Sequence, residues 1–197
     1  MGLRRTYTLF APWYDAIVGP AFAEARRKSL ARLPPCAGRI LISGIGTGLD
    51  AAYLPPGPRY IGVDLTAAML KRAQRRAPAI DLVQGNAEKL PFAGESFDHA
   101  VLHLILAVVP DPNAALREAA RVVKTGGLIL VYDKFLRRGQ RAPLRRLLSP
   151  LLGRVATHTD RIFEDMLAEA PSLAVLEDRA DRVNGYFRRI TLKRLPD

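Results

Sequence analysis

The stretch "ILISGIGTGLD" (residues 40–50) sets an apolar run directly against three glycines at alternate positions, Gly44, Gly46 and Gly48. Glycine weakens any regular element it sits in, so three of them here imply a sharp turn and a backbone that must stay bare. The run before them reads as a buried strand, and the bare backbone as a place where a ligand can lie against the main chain. A tight strand-to-helix turn without a ligand would use the same residues.

The rest of the chain alternates strands and helices. Residues 20–32 have helical spacing, with Phe22, Ala25, Leu30 and Leu33 apolar, and "RILIS" (39–43) follows as the first strand. A short helix is expected at 48–54, broken by Pro55 and Pro56. "YIGVD" (60–64) is a second strand. Thr66 can cap the next helix, which presents Met69, Leu70 and Ala73 on one face and stops at Pro78. "DLVQG" (81–85) and part of "SFDHAVLHLIL" (96–106) give two more strands, residues 113–123 a helix, "KTGG" (124–127) a turn, and "LILVYD" (128–133) a fifth strand. Strands this continuously apolar belong in a parallel sheet covered on both faces. Beyond residue 134 a basic, proline-interrupted and largely helical stretch leads to strands at 173–178 and 186–193, the second just after the "NG" (184–185) turn signal. The expected fold is a three-layer α/β sandwich. Its Rossmann-like sheet has seven strands, mostly parallel, with an antiparallel hairpin at the C-terminal end. One domain over 1–197 is expected, divided into an N-terminal lid (1–35), a cofactor-binding core (36–133), the basic insertion (134–170) and terminal strands (171–197).

In such sheets ligands sit beyond the carboxyl ends of the strands. Asp64 ends the second strand, 20 residues after Gly44, where a carboxylate can accept hydrogen bonds from both ribose hydroxyls. It could equally cap the next helix together with Thr66. Glycine turn and strand-end acid together point to a nucleoside cofactor. A dinucleotide fingerprint wants its third glycine one place later, at Leu49. The third glycine at 48 favours a cofactor without pyrophosphate.

The motifs "ILISGIGTG", "YIGVDLTAAMLKRA", "GNAEKLPFAGESFD", "AVVPDPNAALREAARVVKTGG" and "FAPWYD" (10–15) resemble those of the class I S-adenosylmethionine-dependent methyltransferases. The resemblance is nearest to the ubiquinone/menaquinone C-methyltransferase group and extends from about residue 6 to residue 133. The "VVPDP" motif, the chain length and the "GYFRRITL" ending are also similar to bacterial phospholipid N-methyltransferases. The resemblance implies S-adenosylmethionine as cofactor and S-adenosylhomocysteine as product. It places Gly44, Ile45 and Gly46 at the methionine part, Gly48 among the cofactor contacts, Asp64 at the ribose, and Leu65 and Met69 around the adenine. Asn86 and Ala87 fall at the adenine amino group, where Asn86 keeps a carbonyl acceptor. His103, at the end of the fourth strand, falls on the methyl-transfer face as cofactor contact and candidate base. Three departures stand out. Ile42 replaces an acid two places before the first glycine, Ala107-Val108 replaces a His pair, and Thr125 replaces a proline.

Tyr7 and Tyr14 lie in a segment that either forms a lid over the substrate or packs on the sheet edge, and His158 in "THTD" either contacts substrate or stands at the surface. "DKFLRRGQRAPLRRLLSPLLGRV" (133–155) alternates Arg pairs with Leu-rich turns, suiting either a membrane interface or a helix covering the pocket. The formal charge is +11, with eight basic residues and one acid between Lys134 and Arg161. That excess would steer the chain toward an anionic membrane surface or acidic substrate, or be a solvated basic face. No aromatic interleaving or base-reading motif accompanies it, which argues against nucleic acid. Cys36 is the single cysteine, and His99, His103 and His158 are not spaced as a cluster, so no metal is expected. Without a secretory signal or a spanning apolar stretch, a cytoplasmic location is expected, with peripheral membrane contact open. The expected activity is methyl transfer to a small amphiphilic or apolar acceptor, quinone-like or lipid. A non-catalytic cofactor-binding module and an NAD-dependent oxidoreductase are the alternatives from other classes.

Overall fold

The structure, a computed structural model, describes residues 20–35, 38–140, 158–181 and 185–196. Tyr7, Tyr14 and most of the 133–155 stretch lie outside these residues. Strands β1 (Arg39–Ser43), β2 (Arg59–Asp64), β3 (Asp81–Gln84), β4 (Phe97–His103), β5 (Val123–Lys134), β6 (Leu173–Ala180) and β7 (Phe187–Arg194) form one sheet in the order β3-β2-β1-β4-β5-β7-β6. The first five pair in parallel; β7 runs antiparallel to both β5 and β6. The helices are α1 (residues 20–30), α2 (Ala67–Arg76), α3 (Pro112–Val122) and α4 (Phe163–Ala168). The expected architecture is the observed one.

Alternation along the central strands builds two cores. Leu41, Ala100, Leu102, Ile129 and Val131 point to a core shared with α3 and α4, where Leu116, Phe163 and Met166 also pack. Their neighbours Ile40, Ile42, Val101 and Leu130 point the other way, to Leu30 at the end of α1, Leu33 just after it and Ala73 on α2. A period of two on strands buried on both faces demands a layer of helices on each side, and the chain supplies them.

The short helix expected at 48–54 is found as a 3-10 helix over Leu49–Tyr53, while other local expectations change. Thr66 occupies the N-cap of α2 without a side-chain capping bond; the Asp64 carboxylate accepts the Thr66 N–H at 2.9 Å instead. Asp111 does cap α3, accepting the N–H of Ala114 at 2.9 Å. "KTGG" lies inside β5, where the pairing with β4 shifts register between Phe97 and His99. Only a glycine fits there, since a Cβ on Gly127 would lie 2.2 Å from the Asp98 carbonyl oxygen. The 124–127 segment is thus an irregularity within a strand.

Phe97 is fully buried at the start of β4, edge-on to Phe92 at 4.9 Å between ring centroids. Phe97→Ala should lower the unfolding free energy by about 3–5 kcal/mol in urea titration. Leu176→Ala, at a position 57% exposed on the edge strand β6, should change it by less than about 0.5 kcal/mol.

Candidate active site

A cavity of about 440 Å³ opens at the carboxyl end of the sheet, over the tip of β1. Gly44, Gly46 and Gly48 all have positive φ, at 73°, 56° and 81°, a region that side chains rarely adopt. The turn is fastened to β2: the Gly44 and Ile45 N–H groups both donate to the Val63 carbonyl, at 2.8 and 3.0 Å. The Gly46 N–H donates to Asp64 Oδ2 at 3.0 Å, and the Gly48 N–H to the Ile45 carbonyl at 3.0 Å. The amide donors at these four positions are therefore spent within the protein. What the turn offers at Gly46 is space, because a Cβ there would meet nothing closer than the Gly44 oxygen at 4.0 Å.

Gly44, Ile45, Gly46, Asp64, Leu65, Met69, Asn86, Ala87 and His103 all line the cavity. Gly48 and His158, expected at the site, are not on its wall. Gly48 instead packs against α2, where an added Cβ would lie 3.3 Å from the Ala73 Cα. It does the close helix packing that a dinucleotide site assigns to a glycine one position later. His158 is fastened behind the loop after β4, its N–H donating to the Ala107 carbonyl at 2.8 Å.

Along the wall, Asp64 ends β2 with burial pushing its carboxyl up, only partly opposed by the Thr66 and Gly46 N–H bonds. Leu65 beside it is 41% exposed, an apolar surface facing the opening. Asn86 folds its amide onto Glu88: its Oδ1 accepts the Glu88 N–H at 2.9 Å and its Nδ2 donates to Glu88 Oε2 at 3.2 Å. One lone pair of the carbonyl acceptor expected at Asn86 is therefore in use.

The loop 104–110 closes the far side. Leu104 adopts a φ of 57°, strained for a leucine, while its N–H donates to the Tyr132 carbonyl at 2.7 Å. The buried Asp133 accepts the Ala107 N–H at 2.9 Å, and Arg161 donates to the Leu106 carbonyl at 2.7 Å. Burial pushes the Asp133 carboxyl up, with the nearby Lys134 charge opposing. At Ala107, where the family pattern has a histidine, both backbone groups serve this clamp.

Sequence reasoning missed the most heavily charged corner of the site. Asp50, on the 3-10 turn, is buried and lines the cavity. Its Oδ1 accepts from Arg26 Nη1 at 2.6 Å and from His103 Nδ1 at 2.7 Å. The His103 Nε2 in turn lies 2.9 Å from the Ser29 hydroxyl. Arg26 and Ser29 stand three residues apart on α1, hence on one helical face. Burial would push the Asp50 carboxyl up, but the charges of His103 and Arg26 and their hydrogen bonds hold it well below the usual carboxylate range. The acid that follows the glycines was a visible signal for Asp50. Nothing local marked Arg26 or Ser29, which arrive from a helix 24 and 74 residues away from their partners. The His103 side chain is 0% exposed with both ring nitrogens engaged, so the nitrogen expected to act as base is already bonded.

Residues 41–131 match the methyltransferase domain family. Phosphatidylethanolamine N-methyltransferase of Cereibacter sphaeroides is 30% identical over 188 residues, covering 92% of each chain. Demethylmenaquinone methyltransferase of Renibacterium salmoninarum is 39% identical over 96 residues, which is 48% of this chain and 40% of that one. The crystal structure of the cyclase SpnF shares the fold, with a TM-score of 0.77 at 17% identity over 98% of this chain and 96% of that one. The chain belongs to the class I S-adenosylmethionine-dependent methyltransferases. It is a methyltransferase with S-adenosylmethionine as cofactor, and the residues present fit that cofactor. A bare turn, a strand-end carboxylate with an apolar neighbour and a cavity of nucleoside size are what it requires.

Because the Asp50 carboxyl titrates lower in the folded than in the unfolded chain, its stabilisation is complete above the ordinary carboxylate range and fades as acid protonates it. Asp50→Ala strands a buried arginine and should cost about 3–5 kcal/mol at neutral pH. Urea titrations from pH 7 downward should show the gap to the parent protein narrowing below about pH 4.

Proposed function

We propose that the acceptor is the amine headgroup of a phospholipid, methylated on nitrogen at a membrane surface. The observation that carries this reading is the extent of the likeness. The similarity to the Cereibacter phospholipid enzyme runs along nearly the whole chain, whereas the Renibacterium quinone enzyme matches about half of it. One physical feature supports it. A net charge of +11 would draw the chain to anionic lipid. The headgroup nitrogen is an ammonium near neutral pH and attacks only after its proton has left; with both nitrogens of His103 bonded, that proton passes to water.

Bound S-adenosylmethionine supplies a methyl group on a sulfonium leaving group. The chain's own residues then position and shield. Asp64 would accept the ribose hydroxyls, Leu65 and Met69 would hold the adenine, and Gly46 would leave room for the chain between them. His103 would act by tying α1 to the Asp50 turn, a positioning duty that keeps water out of the β4 side. Among the described residues no helix is long and apolar enough to cross a membrane, so approach to lipid would be from the surface.

Radiolabelled methyl transfer should appear with vesicles containing phosphatidylethanolamine, should rise when anionic lipid is added, and should be absent with demethylmenaquinone in the same vesicles. Label on the quinone alone would overturn the amine reading. Calorimetry should show S-adenosylhomocysteine binding, weakened at least about tenfold in Asp64→Ala, and no binding of NADH.

A further inference from the structure

The carboxylate missing at Ile42, which is buried away from the cavity wall, has a counterpart on that wall at Asp50. We infer that Asp50 and Arg26 together recognise the zwitterionic amino-acid end of S-adenosylmethionine, Asp50 taking the ammonium group and Arg26 the carboxylate. The inference rests on assigning the cofactor to this cavity.

The N–H groups of Gly44, Ile45, Gly46 and Gly48 are bonded to Val63, Asp64 and Ile45, so the polar end of the ligand needs side chains. Ile42 supplies none, being buried among Leu30, Ile40 and Ile45. Direction comes from the strand order. β1 lies between β2 and β4, and the cavity spans its tip. Asp64 stands on the β2 side. On the β4 side stands Asp50, bonded to His103. An elongated ligand with its ribose at Asp64 and its middle across Gly46 therefore ends at Asp50 and Arg26.

That end has open capacity. Both bonds to Asp50 fall on Oδ1, and among the described residues Oδ2 accepts none. Arg26 is buried and lines the cavity, uses Nη1 on Asp50, and has no partner for Nε among the described residues. A buried guanidinium with unused donors beside a carboxylate with an unused oxygen is complementary to an α-amino acid, one charge for each. Chemistry also argues against leaving such a pair idle, since buried ionic groups are rarely worth their desolvation by stability alone. The same pair binds α1 to the site, so ligand and helix would share one anchor.

The test compares S-adenosylhomocysteine with 5′-methylthioadenosine, which keeps the adenosine thioether and lacks the amino-acid end. Calorimetry on the full chain should show the parent protein binding S-adenosylhomocysteine at least about tenfold tighter. Asp50→Asn and Arg26→Gln should each cut S-adenosylhomocysteine affinity about tenfold or more while leaving 5′-methylthioadenosine within about threefold. Equal losses for both ligands would mean that these residues only shape the turn, and would overturn the inference. So would unchanged S-adenosylhomocysteine affinity in both variants. Should the variants fail to fold, the parent protein still decides. An analogue of S-adenosylhomocysteine lacking the α-amino group must bind at least about tenfold more weakly, and parity overturns the role of Asp50. Failure of the folded parent to bind either nucleoside would instead overturn the placement of the cofactor in this cavity, and this inference with it.

Discussion

The site is organised around the burial of one negative charge. Asp50 cannot be ionised inside the protein unless cations and donors meet it, and the two that do belong to different elements, α1 and β4. Meeting that requirement fixes more than the carboxylate. It presses α1 onto the end of the sheet, where Phe22 packs against Tyr132 and Phe187. It also orients the His103 ring through both nitrogens and holds the 3-10 turn in place behind the glycines. The cavity over β1 is what remains between these constrained parts.

Around this charge the protein divides labour between backbone and side chains. The glycine turn gives up its donors to β2 and offers room. The end of β2 and the 3-10 turn bring carboxylates: Asp64 is destabilised by burial, and Asp50 is held ionised by its partners. A group that burial pushes away from its charged state is one that a ligand can satisfy, which is why such groups gather where ligands bind. The loop after β4 is the opposite case. Asp133 and Arg161 are used up in clamping its backbone, keeping Leu104 in a strained conformation at the cavity wall.

Much of this was readable in the residues. The continuous apolar runs in "RILIS", "HAVL" and "LILV" announced strands buried on both faces, and the spacing of Gly44 to Asp64 announced a nucleoside site. The readings that shifted did so for local reasons. Gly48 carries the same residue type as Gly46, yet faces α2 rather than the cavity, because the 3-10 turn rotates it toward Ala73. "KTGG" has the composition of a turn, but pairing with β4 absorbs it into a strand at a register shift. His103 was visible as a titratable group at the right strand end; that both of its nitrogens would be occupied depended on Ser29, far away in the chain.

The sequence by itself determined the layers, the strand that leads into the bare turn and the acid that answers it from the next strand. These follow from periodicity and from the conformational freedom of glycine, which act over a few residues. Only the tertiary structure decided where the missing carboxylate had gone. Ile42 looked like a loss because the signal was sought at one position on one strand. Folding brings Asp50, Arg26 and His103 from a turn, a helix and a different strand to a single point, and the attraction between buried charges depends on their distance in space rather than along the chain.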